Sequence, residues 1–189
     1  MPGVADFERA LASAPTIWLR RRLVRMIPRD WLEENEPPDF LFTSGKPNRF
    51  NPDGVNCVYF SQDDQTAGAE YLSYWSGTPA EYQPRVTYFA RVNLHRVLDL
   101  TQPATQLALG FKTDDLHQPW RLARSATLTQ MLGAAVARQA RVSAIRYPSD
   151  AAFRAGDAGA NVVVFRNSVR KPDRVDILGP NKKSLQSWP

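Results

Sequence analysis

The chain is poor in the residues that build metal and disulfide sites. Cys57 is the single cysteine in 189 residues, which excludes an internal disulfide framework and a zinc site made of thiolates. His95 and His117 are the two histidines. Neither stands at a metal-ligand spacing, so both read as structural or exposed. No apolar run approaches the roughly 18 residues a membrane helix needs. The opening MPGVADFERALASAP carries acids early and has no signal-peptide core, so the expected compartment is the cytoplasm and no membrane contact is expected. A Walker-type loop and a G-x-G-x-x-G turn are both missing, so no resident nucleotide cofactor is expected. Arginines are dispersed apart from Arg20 to Arg22. With no long Lys/Arg tract and no RNA-recognition aromatic motif, the net charge of +5 points to an anionic small ligand or an acidic protein partner rather than to direct nucleic-acid contact. Repeats, low-complexity blocks and linkers are also lacking. The expectation is therefore one domain over 1–189, with a helical extension at 1–16 and a tail at 181–189.

What is present concentrates in one stretch, NRFNPDGVNCVYFSQDDQTAGAE, residues 48–70. The Pro and Gly of RFNPDG favour a turn. Val55 to Phe60 is apolar, β-branched and aromatic and predicts a buried strand. Ser61 with Asp64 has the S-x-x-D pattern of a helix start. Thr66, Ala67 and Tyr74 then share a face with Glu70. Arg49, Tyr59 and Glu70 are the candidate chemical groups of this stretch. Read singly, each has an ordinary explanation: a surface arginine, a core tyrosine and a solvated helix glutamate.

Elsewhere, residues 5–14 predict a helix with Phe7, Ala10, Leu11 and Ala14 on one stripe. Ile17 to Ile27 fits a strand or a continued helix. Arg29 to Asn48 reads as a long surface segment pinned by Phe40 to Phe42, of the kind that forms lids. Strands are expected at Arg85 to Val92, Val97 to Leu100, Val142 to Tyr147, Asn161 to Phe165 and Val175 to Leu178. A helix is expected over Leu128 to Ala140. Cys57 reads as a buried apolar residue, and Trp31, Trp75 and Trp120 read as packing residues. Ser149, after Pro148, fits a helix N-cap. Strands and helices without βαβ alternation predict an α+β fold.

The combination RFNPDG, CVYFS and TAGAE resembles the RES-domain toxins, and RVLDLTQ, the YPS after VSAIR, and ANVVVF extend the resemblance over about residues 17 to 180. Pro47 and Asn48 stand where the family often has glycine, and Tyr71 where it often has an aliphatic residue. The resemblance implies a fold like that of ADP-ribosyltransferases, with two small, mostly antiparallel sheets forming an NAD cleft flanked by helices. It implies a toxin of a toxin-antitoxin system that consumes NAD by hydrolysis, phosphorolysis or ADP-ribosyl transfer. NAD is then a substrate, not a cofactor. The implied partner is an antitoxin with an Xre-type helix-turn-helix domain, with room for a homodimer inside that complex. Cleaving the nicotinamide-ribose bond passes through an oxocarbenium-like state. A carboxylate, Glu70, suits that state, while Arg49 and Arg25 suit the pyrophosphate. Tyr59 suits a wall beside the nicotinamide, and Ser149 would position substrate. Arg20, Arg21 and Arg22 compete with Arg25 for the phosphate role. The alternatives are a non-catalytic module that holds NAD or ADP-ribose, and an RNA-targeting toxin.

Overall fold

Residues 2–34, 45–179 and 183–189 are described in a computed structural model of the chain. Seven strands run β1 (Ile17–Pro28), β2 (Cys57–Ser61), β3 (Arg85–Asp99), β4 (Ala144–Pro148), β5 (Ala160–Phe165), β6 (Arg174–Leu178) and β7 (Ser184–Trp188). Six α-helices accompany them: α1 (Val4–Leu11), α2 (Arg29–Glu34), α3 (Asp64–Trp75), α4 (Pro103–Ala108), α5 (Leu128–Gln139) and α6 (Asp150–Arg154). The fold is α+β, as the pattern predicts.

The two separate sheets expected from the resemblance are one hydrogen-bonded sheet, ordered β1-β2-β5-β4-β3-β6-β7. β1 also pairs with β3 from Ile17 opposite Val97 to Pro28 opposite Arg85, so the first five strands of that order close on themselves as a barrel. Length explains the closure. β3 is one 15-residue strand, not the two short ones expected, and it serves β1 along one edge while β6 and β4 share the other. Closure leaves few free strand edges.

Side chains alternate along these strands into two apolar clusters. Leu23, Val58, Phe60, Ala90, Val92 and Val164 belong to one. The second joins Val163, Phe165 and Ile145 to Phe7 and Leu11 of α1 and to Leu132, Ala135 and Val136 of α5. Helix α1 is thus part of the core. The buried face of α5 includes Leu128, Leu132, Ala135 and Val136, which share a face at helical spacing, and the helix is capped by Thr127, whose hydroxyl accepts from the Gln130 N–H.

Three local expectations change. Asp63, not Ser61, caps α3 and accepts from the Thr66 N–H at 2.8 Å, because Ser61 is still inside β2. Residues 184–188, expected within a tail, form β7 antiparallel to β6. Arg29 to Glu34 is helical, whereas Phe40 to Phe42 lie outside the described residues, as does half of the expected lid, residues 35–44. No helix among the described residues is long and apolar enough to cross a membrane.

Candidate functional site

The barrel has a weak seam. β1 and β2 are joined by a single registered pair, Val24 opposite Ser61. Beside it the Arg25 guanidinium crosses the gap and donates to the Tyr59 carbonyl at 2.9 Å. A cavity of about 930 Å³ opens at this seam, lined from β1, β2, α3, the 46–49 loop, the segment after Leu116 and α6. Its volume suits a dinucleotide-sized ligand.

Arg25, Arg49, Tyr59 and Glu70 all line this cavity. Their convergence has a local cause for each. The RFNPDG turn is pinned by two fully buried residues, Phe50 and Asn51. Phe50 packs on Tyr147 with ring centroids 4.5 Å apart. Asn51 donates to the carbonyls of Lys46 (2.7 Å) and Val55 (3.2 Å). Gly54 takes φ +80°, which glycine adopts without strain. With its neighbours locked inward, Arg49 projects to the cavity, where it donates to the Leu116 and Gln118 carbonyls at 2.7 and 3.3 Å.

Tyr59 lines the cavity and has a second, local role. Its hydroxyl accepts from the Phe50 N–H and donates to Asn51 Oδ1, each at 2.9 Å. Burial pushes its pKa well above the ordinary value, so the phenol stays neutral and remains a donor. It ties the arginine-bearing turn to β2 as well as forming cavity wall. Tyr59→Phe would leave the Phe50 N–H without that partner, and such a loss costs about 1–3 kcal/mol. Urea denaturation is expected to show a destabilisation in that range, and an unchanged midpoint would contradict this role.

Glu70 sits on the inner side of α3 next to Ala67. Its Oε1 accepts from the Ser149 hydroxyl at 2.7 Å and from the Asn161 side-chain N–H at 2.5 Å. Ser149 does not line the cavity. It is buried, caps α6 by accepting from the Ala152 N–H at 3.0 Å, and reaches Glu70 from behind. The cap expected of Ser149 is present, whereas the direct contact with substrate expected of it is not available from behind Glu70, and its link to the cavity is the hydrogen bond to that carboxylate.

Asn161 escaped the sequence reading. It is buried and bridges Glu70 to Ser61, whose hydroxyl donates to its Oδ1 at 2.9 Å. A polar side chain heading the run VVVF was the available signal. Burial also lowers the pKa of Arg25 and raises that of Tyr147, the latter further opposed to ionising by the Glu70 charge. The cavity is lined by four guanidiniums, those of Arg25, Arg49, Arg121 and Arg154, by Lys46, and by the carboxylates of Glu70 and Asp150, and the buried phenols of Tyr59 and Tyr147 stay neutral. His117 lines it too, 3.2 Å from Asp150, and so do Trp31, Trp75 and Trp120. Those three tryptophans are cavity wall, not only packing. Cys57 is buried, as expected. Among the described residues no cluster of His, Cys, Asp and Glu has a metal-binding arrangement.

A family model described as the RES domain matches residues 22–185. No curated protein matches the chain. In three dimensions the chain is similar to one in the crystal structure of the M. tuberculosis MbcT-MbcA toxin-antitoxin complex. The TM-score is 0.64 at 18% identity, over 97% of this chain and 91% of that one. At this identity the structural likeness establishes a shared fold and nothing more.

Proposed function

The chain belongs to the RES domain family, and from that premise we propose that it is the toxin of a toxin-antitoxin pair and cleaves the bond between nicotinamide and ribose in NAD. The observation that carries this reading is the Glu70 carboxylate, held by two donors at the wall of a dinucleotide-sized cavity that also holds Arg25 and Arg49. The arginines meet the pyrophosphate, each with donors left over from its carbonyl contacts. Glu70 faces the ribose and stabilises the positive charge that develops as nicotinamide departs. Ser149 and Asn161 fix the carboxylate, and Tyr59 fixes the turn that presents Arg49. NAD is consumed as substrate, on a fold related in this reading to the ADP-ribosyltransferases.

The bond that breaks is the ribose C–N bond, with its electron pair leaving on nicotinamide. The bond that forms joins ribose to water, phosphate or a protein nucleophile, which loses a proton. The solved toxin-antitoxin complex of similar fold supports a protein partner. In this proposal the partner is an antitoxin with an Xre-type DNA-binding domain that inserts a segment into the cavity.

The test is to incubate the purified chain with NAD in buffer, in buffer with inorganic phosphate, and in cell extract, and to follow free nicotinamide by chromatography. Release in at least one condition is expected. NAD that raises the melting temperature without any release would instead mark a binding module and overturn the reading.

A further inference from the structure

The face of β1 and β3 that points to solvent is unlike the rest of the surface. Trp18 is 60% exposed, yet it is held in place. Its indole N–H donates to Asn93 Oδ1 at 2.6 Å, and its ring lies nearly parallel to His95, with centroids 5.3 Å apart and 10° between the planes. Two residues along, Arg20 lies opposite Asn93. Two further, Arg22 lies directly opposite Arg91. Like charges placed opposite one another across strands are destabilising. The Arg22 guanidinium rests on the Phe89 ring at 4.5 Å.

On the adjoining strand, Asp176 is the carboxylate across from Arg91, but both its oxygens are engaged by Arg174 at 3.0 Å and one also by Ser187. Among the described residues, Arg20, Arg22 and Arg91 have no carboxylate at ion-pair distance. The strip therefore carries a fixed exposed ring, the guanidiniums of Arg20 and Arg22, that of Arg91 facing an Asp176 already engaged by Arg174, and a second ring, on a barrel face whose residues are not among those lining the cavity.

We propose that this face binds single-stranded nucleic acid, with a base stacked on Trp18 and phosphates on Arg20, Arg22 and Arg91. Aromatic platforms interleaved with cations are the physical requirement for such binding, because every base has a face to stack and every linkage a charge to neutralise. β1 rises about 3.3 Å per residue, so the strip from Trp18 to Phe89 spans a few nucleotides. Charge alone would also suit an acidic protein segment; the occupant is set by the exposed Trp18 ring held beside the guanidiniums, which gives a base a platform and its phosphates a charge.

The experiment measures anisotropy of labelled oligouridylate and oligothymidylate of about ten nucleotides, a duplex of the same length, and polyglutamate, on the full chain at low and moderate salt. Both single strands are expected to bind, with a log-log salt slope of about −2 from three neutralised phosphates. Trp18→Ala is expected to weaken binding about fivefold or more. The double variant Arg20→Glu with Arg22→Glu should reduce the salt slope by about one or more. Both variants should keep the melting temperature and the rate of nicotinamide release of the parent. No binding at low salt would overturn the proposal. So would binding of polyglutamate equal to that of the oligomers and indifferent to Trp18, which would assign the face to an acidic protein. These binding readouts do not depend on NAD turnover, so their failure is separate from a failure of the proposed activity.

Discussion

Glu70→Gln is expected to reduce nicotinamide release about a thousandfold while leaving the fold intact. The size follows from what the substitution removes. Glutamine keeps the shape of the side chain and an oxygen that still accepts from Ser149 and Asn161, so packing changes little. It removes the charge, and charge aimed at a developing cation in a partly dry site accounts for about a hundredfold to a thousandfold in rate. A contribution to orienting or deprotonating the acceptor adds to that. Ground-state binding of NAD rests on the arginines, so KM should move far less than kcat. The comparison is of steady-state rates together with melting temperatures for the two proteins. A variant of normal stability that retains more than about a tenth of the parent rate, far above what loss of such a charge permits, would remove Glu70 from the chemistry.

Gly133→Ala carries the other large effect, and its sign is opposite to the helix-propensity expectation. In an exposed helix interior alanine is more stable than glycine by about 0.5–1 kcal/mol. At position 133 of α5, a Cβ would lie 1.5 Å from the Phe50 carbonyl oxygen and 2.6 Å from its carbon. The obstructing atoms are backbone, and they belong to the turn that carries Arg49. That turn is also tied to α5 by the Gln130 side chain, which donates to the Asn48 carbonyl at 3.0 Å. Either α5 moves out of the core or the turn moves out of the cavity. Overpacking of this kind costs about 3 kcal/mol or more, which for a chain of this size is a fall of about 6–12 °C in melting temperature. Nicotinamide release should fall with it, since Arg49 is displaced. A variant as stable as the parent would mean that the contact between helix and turn is not the one described.

Arg49, Tyr59 and Glu70 were legible because turn, strand and helix follow one another directly, and each local pattern is strong. The chemistry proposed for them follows from residue type, because guanidinium, phenol and carboxylate have few roles in common. Ser149 was legible as a helix cap, while its contact with Glu70 joins residues 79 positions apart and was not. Gly133 gave no signal, since a glycine inside a helix pattern looks the same whether solvent or a backbone carbonyl lies beyond it. The capping residue of α3 was misplaced by two positions, because Ser61 and Asp63 are equally good caps and only the length of β2 decides between them. The final strand β7 gives no strand signal in sequence because SLQSW has little apolar content to mark it.

The sequence by itself determined the fold class, the buried strands and helix α5, the motifs of the family and the three principal side chains. Those features are local, set by periodicity, turn chemistry and residue type. Only the tertiary structure decided that β1 returns along β3 to close the barrel, that the seam with β2 is left nearly unpaired, and that Asn161 arrives beside Glu70 from 91 residues away in sequence. It also decided that arginines scattered along the chain meet as cross-strand neighbours on one face. Register between distant strands sets all four outcomes. Register is fixed by the packing of the whole sheet, and no window of the sequence contains it.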